Sequence, residues 1–342
     1  MERTRLCIVT DAWLPQVNGV VTTLTNLVEQ AEKDNWEVLV IHPGLFKNIS
    51  APGYPEVKLS WPRGLKKMIR GFSPHHLHIA TEGPLGLAAR ISFRKITFTT
   101  AYHTNWPQFL KNILKISPSI TWKFIKWFHS NCKVMVPTKG IKEELEKHNI
   151  GKSVVLFSRG VNLTNLKPTI KHIPSDRKIK LLCVSRISKE KNLDAYCSLN
   201  PKLYELVLVG DGPYKEELIK KYPWVYFTGT LKGTDLANEY VNAECFVFPS
   251  LTDTFGLVMI EAQCLGTPVA AFPVNGPMDV ILPETGFMHE DIKIAIDKAM
   301  FLNRTKCMNI ARDKYNWTSA WRQFKGHLID HEDDNDPIFF LT

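Results

Sequence analysis

A single segment in the second half of the chain concentrates residues able to do chemistry. From Pro249 to Ala262 it reads Pro-Ser-Leu-Thr-Asp-Thr-Phe-Gly-Leu-Val-Met-Ile-Glu-Ala. A β-rich run ends at Pro249, a loop bearing Asp253 follows, and a helix opens near Gly256. The free N–H groups at such a helix start can hold phosphate or sugar hydroxyls. Glu261, on the helix itself, can accept hydrogen bonds from a ribose diol. Asp253 and Glu261 are about two helical turns apart, so they serve separate groups rather than act as a close carboxylate dyad. A capped helix with one polar position explains each acid alone, but it leaves the Thr-Asp-Thr-Phe-Gly loop unexplained.

Three further segments follow β-rich runs, where open α/β sheets bind their ligands. Ser185-Arg186-Ile187-Ser188-Lys189-Glu190-Lys191-Asn192 places an arginine and a lysine five residues apart. Such a pair can neutralise the charge growing on a leaving diphosphate without a metal. Taken alone, the run fits a solvated helix start better. Asp11–Val20 ends in Asn18-Gly19-Val20 before a helix, where a glycine lets phosphate approach the backbone. It lacks the GxGxxG pattern of dinucleotide binding, and Asn-Gly is otherwise a plain turn. In Gly210-Asp211-Gly212-Pro213 the aspartate suits an N-cap and the proline the first helical turn. Asp334-Asn335-Asp336 matches a DxD metal-sugar pattern, but it lies in an acidic terminal tail and on no strand.

The elements that must position these residues alternate strand and helix. Strands are expected at Leu6–Thr10, Glu37–His42, His76–Ala80, Ile96–Tyr102, Lys133–Val136 and Val154–Phe157. A second set is expected at Ile179–Val184, Glu205–Val209, Val225–Thr228, Cys245–Pro249 and Val269–Phe272, with helices near 191–199, 214–221, 233–243 and 256–265. Near-continuous apolar strands alternating with amphipathic helices predict parallel sheets covered on both faces. The length, 342 residues, exceeds one core. The Pro- and charge-rich stretch Pro168–Arg177 suits a linker. The expected architecture is α/β with two doubly wound Rossmann-like domains, at 1–172 and 173–330, and a tail at 331–342.

Composition is that of a globular protein, 44% hydrophobic and 23% charged. Seven scattered cysteines with no CxxC read as reduced, buried thiols. No apolar run reaches the roughly 18 residues that span a bilayer, and Leu6–Val9 is too short for a signal peptide's apolar core. A cytoplasmic protein is expected. The net charge of +9 is unevenly placed: residues 1–172 carry 24 Lys/Arg against 11 Asp/Glu. Within 58–126 there are 12 basic residues and one acid, Glu82. There, Trp61–Phe72 and Leu110–Phe128 interleave lysines with aromatic and aliphatic residues, as suits docking on an anionic membrane face. Ordinary helices burying one side explain the same pattern. No nucleic-acid-binding module accompanies the charge.

Together these residues resemble the retaining GT-B glycosyltransferases with an E-x7-E motif, here Asp253-x7-Glu261. Within them the chain is similar to the subgroup that writes the loop TDTFG, the GDP-mannose-dependent α-mannosyltransferases and sulfoquinovosyldiacylglycerol synthases. The resemblance runs nearly end to end. It takes in Asp11–Val20, Thr81–Gly86, Tyr102-His103-Thr104, Ser158–Val161, Arg186–Lys191, Gly210–Pro213, Asp253–Glu261 and Asn275-Gly276-Pro277. It implies an active site in a cleft between the domains and a GDP- or UDP-sugar as co-substrate, with no cofactor and no metal. The acceptor would be a lipid or glycan hydroxyl; the basic, aromatic stretches add an anionic membrane surface as a partner and a peripheral position on its cytoplasmic face.

It also implies roles. Gly19 would approach the donor phosphates, and His103 would contact the transferred sugar. Arg186 and Lys191 would hold the diphosphate. The backbone of Phe255, Gly256, Leu257 and Val258 would bind sugar and phosphate, Asp253 would serve the sugar, and Glu261 the ribose. Two departures stand out. Asp253 is shorter than the usual glutamate, and Asn162 replaces the aspartate that usually follows Arg-Gly-Val. A nucleotide-sugar epimerase shares the architecture, but TDTFG and the Arg-x4-Lys pair weigh against it. An inactive sugar-nucleotide-binding relative is opposed by intact Arg186, Lys191 and Glu261.

Overall fold

A computed structural model describes residues 3–330, apart from 17, 52, 53, 105, 108–114, 116, 165, 170–177 and 254, with 54–57 described by backbone alone. The DxD at 334–336 and most of the expected linker lie outside the described residues.

The chain forms two units, one of Met1–Gly160 with Trp317–Thr342 and one of Val161–Asn316. In the first unit the strands are β1 (Arg5–Val9), β2 (Glu37–Ile41), β3 (Asn48–Ala51), β4 (Tyr54–Ser60), β5 (His76–Ile79), β6 (Thr99–Ala101), β7 (Lys133–Val136) and β8 (Ser153–Leu156). Six of them make a parallel sheet in the order β2-β1-β5-β6-β7-β8, while β3 and β4 pair as an antiparallel hairpin. Leu6 to Val9 in β1 are fully buried, as a strand covered on both faces requires. Each such side chain contributes roughly 1.5–3 kcal/mol on burial.

The second unit contains β9 (Ile179–Val184), β10 (Tyr204–Val209), β11 (Tyr226–Gly229), β12 (Cys245–Phe248), β13 (Val269–Ala271) and β14 (Gly286–Met288). They form a parallel sheet in the order β11-β10-β9-β12-β13-β14. Every strand expected from the sequence is present. The hairpin β3–β4 and the strand β14 had no expected counterpart: β3 is four residues and half polar, β4 carries Pro55 near its start, and β14 is only three residues long. All seven cysteines are free and buried.

The unit boundaries differ from the expected ones at two places. Val161, Leu163 and Leu166 already pack on the core of the second unit, so its start precedes the Pro-rich stretch. At the other end, the helix Trp317–His327 belongs to the first unit. Its Trp317, Ala320, Trp321 and Phe324 pack with Leu24, Leu27 and Ala31 of the helix Gly19–Lys33 and with Leu6 and Ile8 of β1. The Trp321 indole donates to Asp34 at 2.8 Å. A helical apolar stripe tells which face is buried, but not which sheet it will meet.

Candidate active site

In each sheet the strand order reverses direction at one point, and loops diverging there leave a crevice beyond the carboxyl ends of the strands. In the second unit that point lies between β9 and β12. Arg186 and Lys191 follow β9, and Asp253 follows β12. The sequence-expected diphosphate clamp and the first motif acid therefore arise from neighbouring strand ends.

Two of them meet. Lys191 Nζ donates to Asp253 Oδ1 at 2.5 Å, and each side chain retains about a fifth of its exposure (21% and 23%). Burial pushes the Asp253 carboxyl up, but the Lys191 charge and hydrogen bond outweigh it, so the group sits below the usual carboxylate range. Because the folded pKa is depressed, the pair's contribution to stability is present above the ordinary carboxylate pKa. It is lost only as the pH falls through the lowered value. Lys191 closes a single 3-10 turn, Lys189–Lys191, and Asn192 follows in the left-handed region at φ 52°. The Asn192 amide then donates to the Pro249 carbonyl at 3.0 Å, tying the loop after β9 to the loop after β12. Nothing in the sequence flagged Asn192.

Arg186, half-buried, is positioned through its backbone. The loop after β9 is stitched to the loop after β10 by Ile187 N to Asp211 O at 2.9 Å and Tyr214 N to Ile187 O at 3.0 Å. A Cβ on Gly210 would lie 1.9 Å from the Ser185 carbonyl, and one on Gly212 would lie 2.3 Å from that of Ile187. The Gly-Asp-Gly-Pro segment thus lets a second loop approach the arginine's backbone. The N-cap expected at Asp211 is not observed: the helix spans Lys215–Lys221, with Tyr214 at its N-cap position. Asp211 instead accepts from Gly212 N at 2.8 Å and Lys215 Nζ at 3.0 Å.

The helix Leu257–Cys264 opens at Gly256 in the left-handed region, φ 82°, with no side-chain cap. A helix start of this kind presents backbone N–H groups, here of Leu257 and Val258, at its first turn. Phe255 beside it is buried. Asn275-Gly276-Pro277 leans on the Asp253 loop so closely that a Cβ on Gly276 would come within 2.7 Å of the Asp253 carbonyl. Four residues past Leu257, Glu261 is partly buried and accepts from the Tyr240 hydroxyl at 2.9 Å. Burial pushes its carboxyl up to about 7 despite that hydrogen bond. Glu261 and Asp253 are thus held by different partners, as their spacing implied.

In the first unit the reversal lies between β1 and β5. Asp11 after β1 accepts from Leu85 N at 2.8 Å, from Gly86 N at 3.3 Å and from the Thr81 hydroxyl at 2.8 Å. It thereby caps the helix Pro84–Ser92. Gly83 and Gly86 are required there, since their Cβ atoms would strike the Asp11 carboxyl and the Thr81 carbonyl. Gly19 starts the helix Gly19–Lys33 and is exposed, but Asn18 Oδ1 already accepts from Val20 N and Val21 N at 3.0 Å each. An anion arriving there meets a turn whose next two N–H groups are taken.

His103 follows β6 and receives a hydrogen bond from Arg159 Nη2 on Nδ1 at 3.0 Å. Arginine only donates, so the proton of the neutral ring sits on Nε2. Burial, then the Arg159 charge and His78, hold the imidazole well below its ordinary pKa. Arg159 is itself buried, donates to the Phe157 carbonyl at 3.1 Å and lies 4.4 Å over the Phe157 ring. Its guanidinium is pushed down to about 9 and stays protonated at neutral pH. His103 is thus a fixed neutral donor, a property its position in the sequence did not disclose.

Comparison with known proteins falls on the same two halves. The family described as Glycosyltransferase Family 4 matches residues 17–165, and Glycosyl transferases group 1 matches residues 178–302. A GDP-mannose-dependent alpha-mannosyltransferase of Corynebacterium glutamicum is 29% identical over 308 residues, 81% of this chain and 74% of its own. An alpha-monoglucosyldiacylglycerol synthase of Streptococcus pneumoniae is 27% identical, covering 78% and 70%. Among solved structures, sucrose-phosphate synthase from Thermosynechococcus elongatus superposes with a TM-score of 0.78 at 19% identity, covering 95% of this chain and 98% of that one.

Proposed function

We propose, for a chain that belongs to the GT-B glycosyltransferases with group 1 and family 4 domains, that it moves a hexose from GDP- or UDP-sugar to a lipid or glycan hydroxyl with retention of configuration. The observation that carries this is the Lys191–Asp253 pair beside the Arg186 loop at the switch point of the second sheet. There a diphosphate and the sugar it bears find a cation pair and a carboxylate on adjacent loops. Arg186 and Lys191 neutralise the departing diphosphate, Asp253 accepts from sugar hydroxyls, and the first turn at Phe255, Gly256, Leu257 and Val258 donates to phosphate and sugar. Glu261 accepts from the ribose. His103 is the candidate donor to the transferred sugar from the first unit. Gly19 is the weaker phosphate contact, given the Asn18 cap.

The acceptor hydroxyl attacks the anomeric carbon on the face from which the diphosphate leaves, and its proton passes to the leaving oxygen. No protein nucleophile and no metal is required, so the rate enhancement rests on positioning and charge stabilisation. Mannose from GDP-mannose and a glucosyl group are what the relatives' names bring forward. A panel of nucleotide sugars scored by thermal shift and by slow hydrolysis tests the reading. One nucleoside diphosphate hexose is expected to stabilise the protein and be hydrolysed. A chain stabilised by none contradicts it.

For the acceptor, the fold sorts the basic, aromatic stretches. Leu65, Ile69 and Phe128 are core, and Trp122 stacks on His148 at 3.9 Å. Trp61, Ile120, Phe124 and Trp127 remain exposed, with Arg63, Lys66, Lys67, Lys123 and Lys126 also at the surface. No helix among the described residues is long and apolar enough to cross a membrane. A diacylglycerol-type acceptor on an anionic bilayer fits this surface. Each cation near such a surface contributes roughly 1 kcal/mol. Co-sedimentation is expected with anionic but not zwitterionic vesicles, weakening with salt and with Lys66→Glu plus Lys67→Glu. Indifference to anionic lipid at low salt points instead to a soluble glycan acceptor.

A further inference from the structure

Glu261 does not stand alone. Its one hydrogen-bond partner described on a side chain is Tyr240, from the helix Gly233–Asn242, which packs against the same core as the helix Leu257–Cys264. Tyr240 has no solvent exposure. Its ring lies 5.7 Å from that of Phe246, and its carbonyl accepts from the Thr267 hydroxyl at 2.5 Å. Both the backbone and the ring of this tyrosine are therefore fixed, and its hydroxyl is spent on Glu261 Oε2.

We propose that Tyr240 is a positioning residue for nucleotide recognition, its buried phenol fixing the Glu261 carboxylate so that the other oxygen is presented to a ribose hydroxyl. This rests on the ribose role assigned above to Glu261. A neutral donor suits the task. A lysine or arginine here would take the carboxylate into an ion pair, whereas a phenol orients it and leaves its charge for the ligand.

The protonation of Glu261 gives the proposal a readout that packing alone would not move. Burial raises this carboxyl to about 7, and the phenol opposes the rise. The neighbours are silent near neutrality. Cys264, one turn on, is pushed up to about 12, and Cys183 of β9, which acts on Tyr240, is raised well above its ordinary value. Arg312, from the helix Arg304–Lys314, donates to the Cys264 carbonyl at 2.8 Å. If the ionised carboxylate accepts the ribose hydroxyl, nucleotide affinity is present above the Glu261 pKa and falls as the pH drops through it. Removing the phenol moves that fall to higher pH, by about one unit for one hydrogen bond to the charged form.

The experiment is calorimetric titration of the full chain with GDP and with UDP across neutral pH, for wild type, Tyr240→Phe and Glu261→Gln. The diphosphate's own protonation is common to all three and cancels. Expected for Tyr240→Phe are a midpoint shifted up by about one unit, a donor KM raised several-fold at neutral pH, and kcat at saturating donor near that of wild type. Glu261→Gln is expected to lose affinity and the pH-dependent component together. Fluorotyrosine at position 240, a stronger donor on a ring of nearly the same size, is expected to move the midpoint down, which keeps the proposal testable should Tyr240→Phe fold poorly. A Tyr240→Phe midpoint equal to wild type, while Glu261→Gln loses affinity, would overturn the positioning role and leave Tyr240 as packing. Unchanged affinity and pH profile in Glu261→Gln would instead remove the ribose role, and the proposal with it.

Discussion

Arg186→Ala and Lys191→Ala are each expected to lower turnover by at least about a hundredfold, with the fold intact. A donor aimed at developing oxyanion charge contributes roughly 3 kcal/mol to the transition state, and 1.4 kcal/mol is a factor of ten. Lys191 arrives at its place through a 3-10 turn and the Asn192 bond to Pro249, and Arg186 through the glycine-permitted approach of a second loop. None of these supports uses the Arg186 or Lys191 side chain, so removing either one should leave the loops in place. Steady-state rates with saturating donor, alongside thermal melts, check this. Near-normal turnover in either variant removes that residue from the clamp.

Asp253→Asn is expected to act in opposite directions on binding and on transfer. In the free protein Asp253 holds the lysine assigned to the diphosphate, at 2.5 Å and with both groups mostly shielded. Phosphate must compete for that lysine. With the aspartate charge gone, affinity for GDP or UDP should rise roughly five- to tenfold, the scale of a partly shielded ion pair. Transfer should fall by about a hundredfold or more, because a charged acceptor facing the sugar is lost where positive charge develops. Calorimetry and initial rates separate the two effects. Weaker nucleotide binding in Asp253→Asn would mean that the carboxylate orients Lys191 for phosphate rather than withholding it.

How much of this was legible beforehand depends on the physics of each signal. The strands showed because burial on both faces leaves continuous apolar runs, as in Leu6–Val9 and Cys245–Phe248. The Asp253 loop and the Arg186–Lys191 spacing showed because charges just past strand ends are conspicuous. What stayed hidden was contact between distant positions. Tyr240 looks like any apolar helix residue until its hydroxyl is found on Glu261. Arg159 lay within a recognised segment, Ser158–Val161, but its contact with His103 emerged only in the fold. Asp211 and Pro213 suggested a helix cap, and only the neighbouring loop explains Gly210 and Gly212. The exposed cations of 58–126 were legible as charge, but which of the interleaved rings face solvent was decided by packing. The return of Trp317–His327 to the first sheet was likewise a matter of partner, not of pattern.

The central claim is transfer from a nucleotide hexose with retention at the anomeric carbon. Proton NMR of the first product formed from an α-linked donor, GDP-mannose or UDP-glucose, on diacylglycerol in anionic vesicles tests it most directly. The result predicted is an α-linked glycolipid, with the free nucleoside diphosphate released in equal amount. A β-linked product would contradict the same-face displacement, and intact donor without transfer to lipid or glycan would contradict the assignment as a transferase.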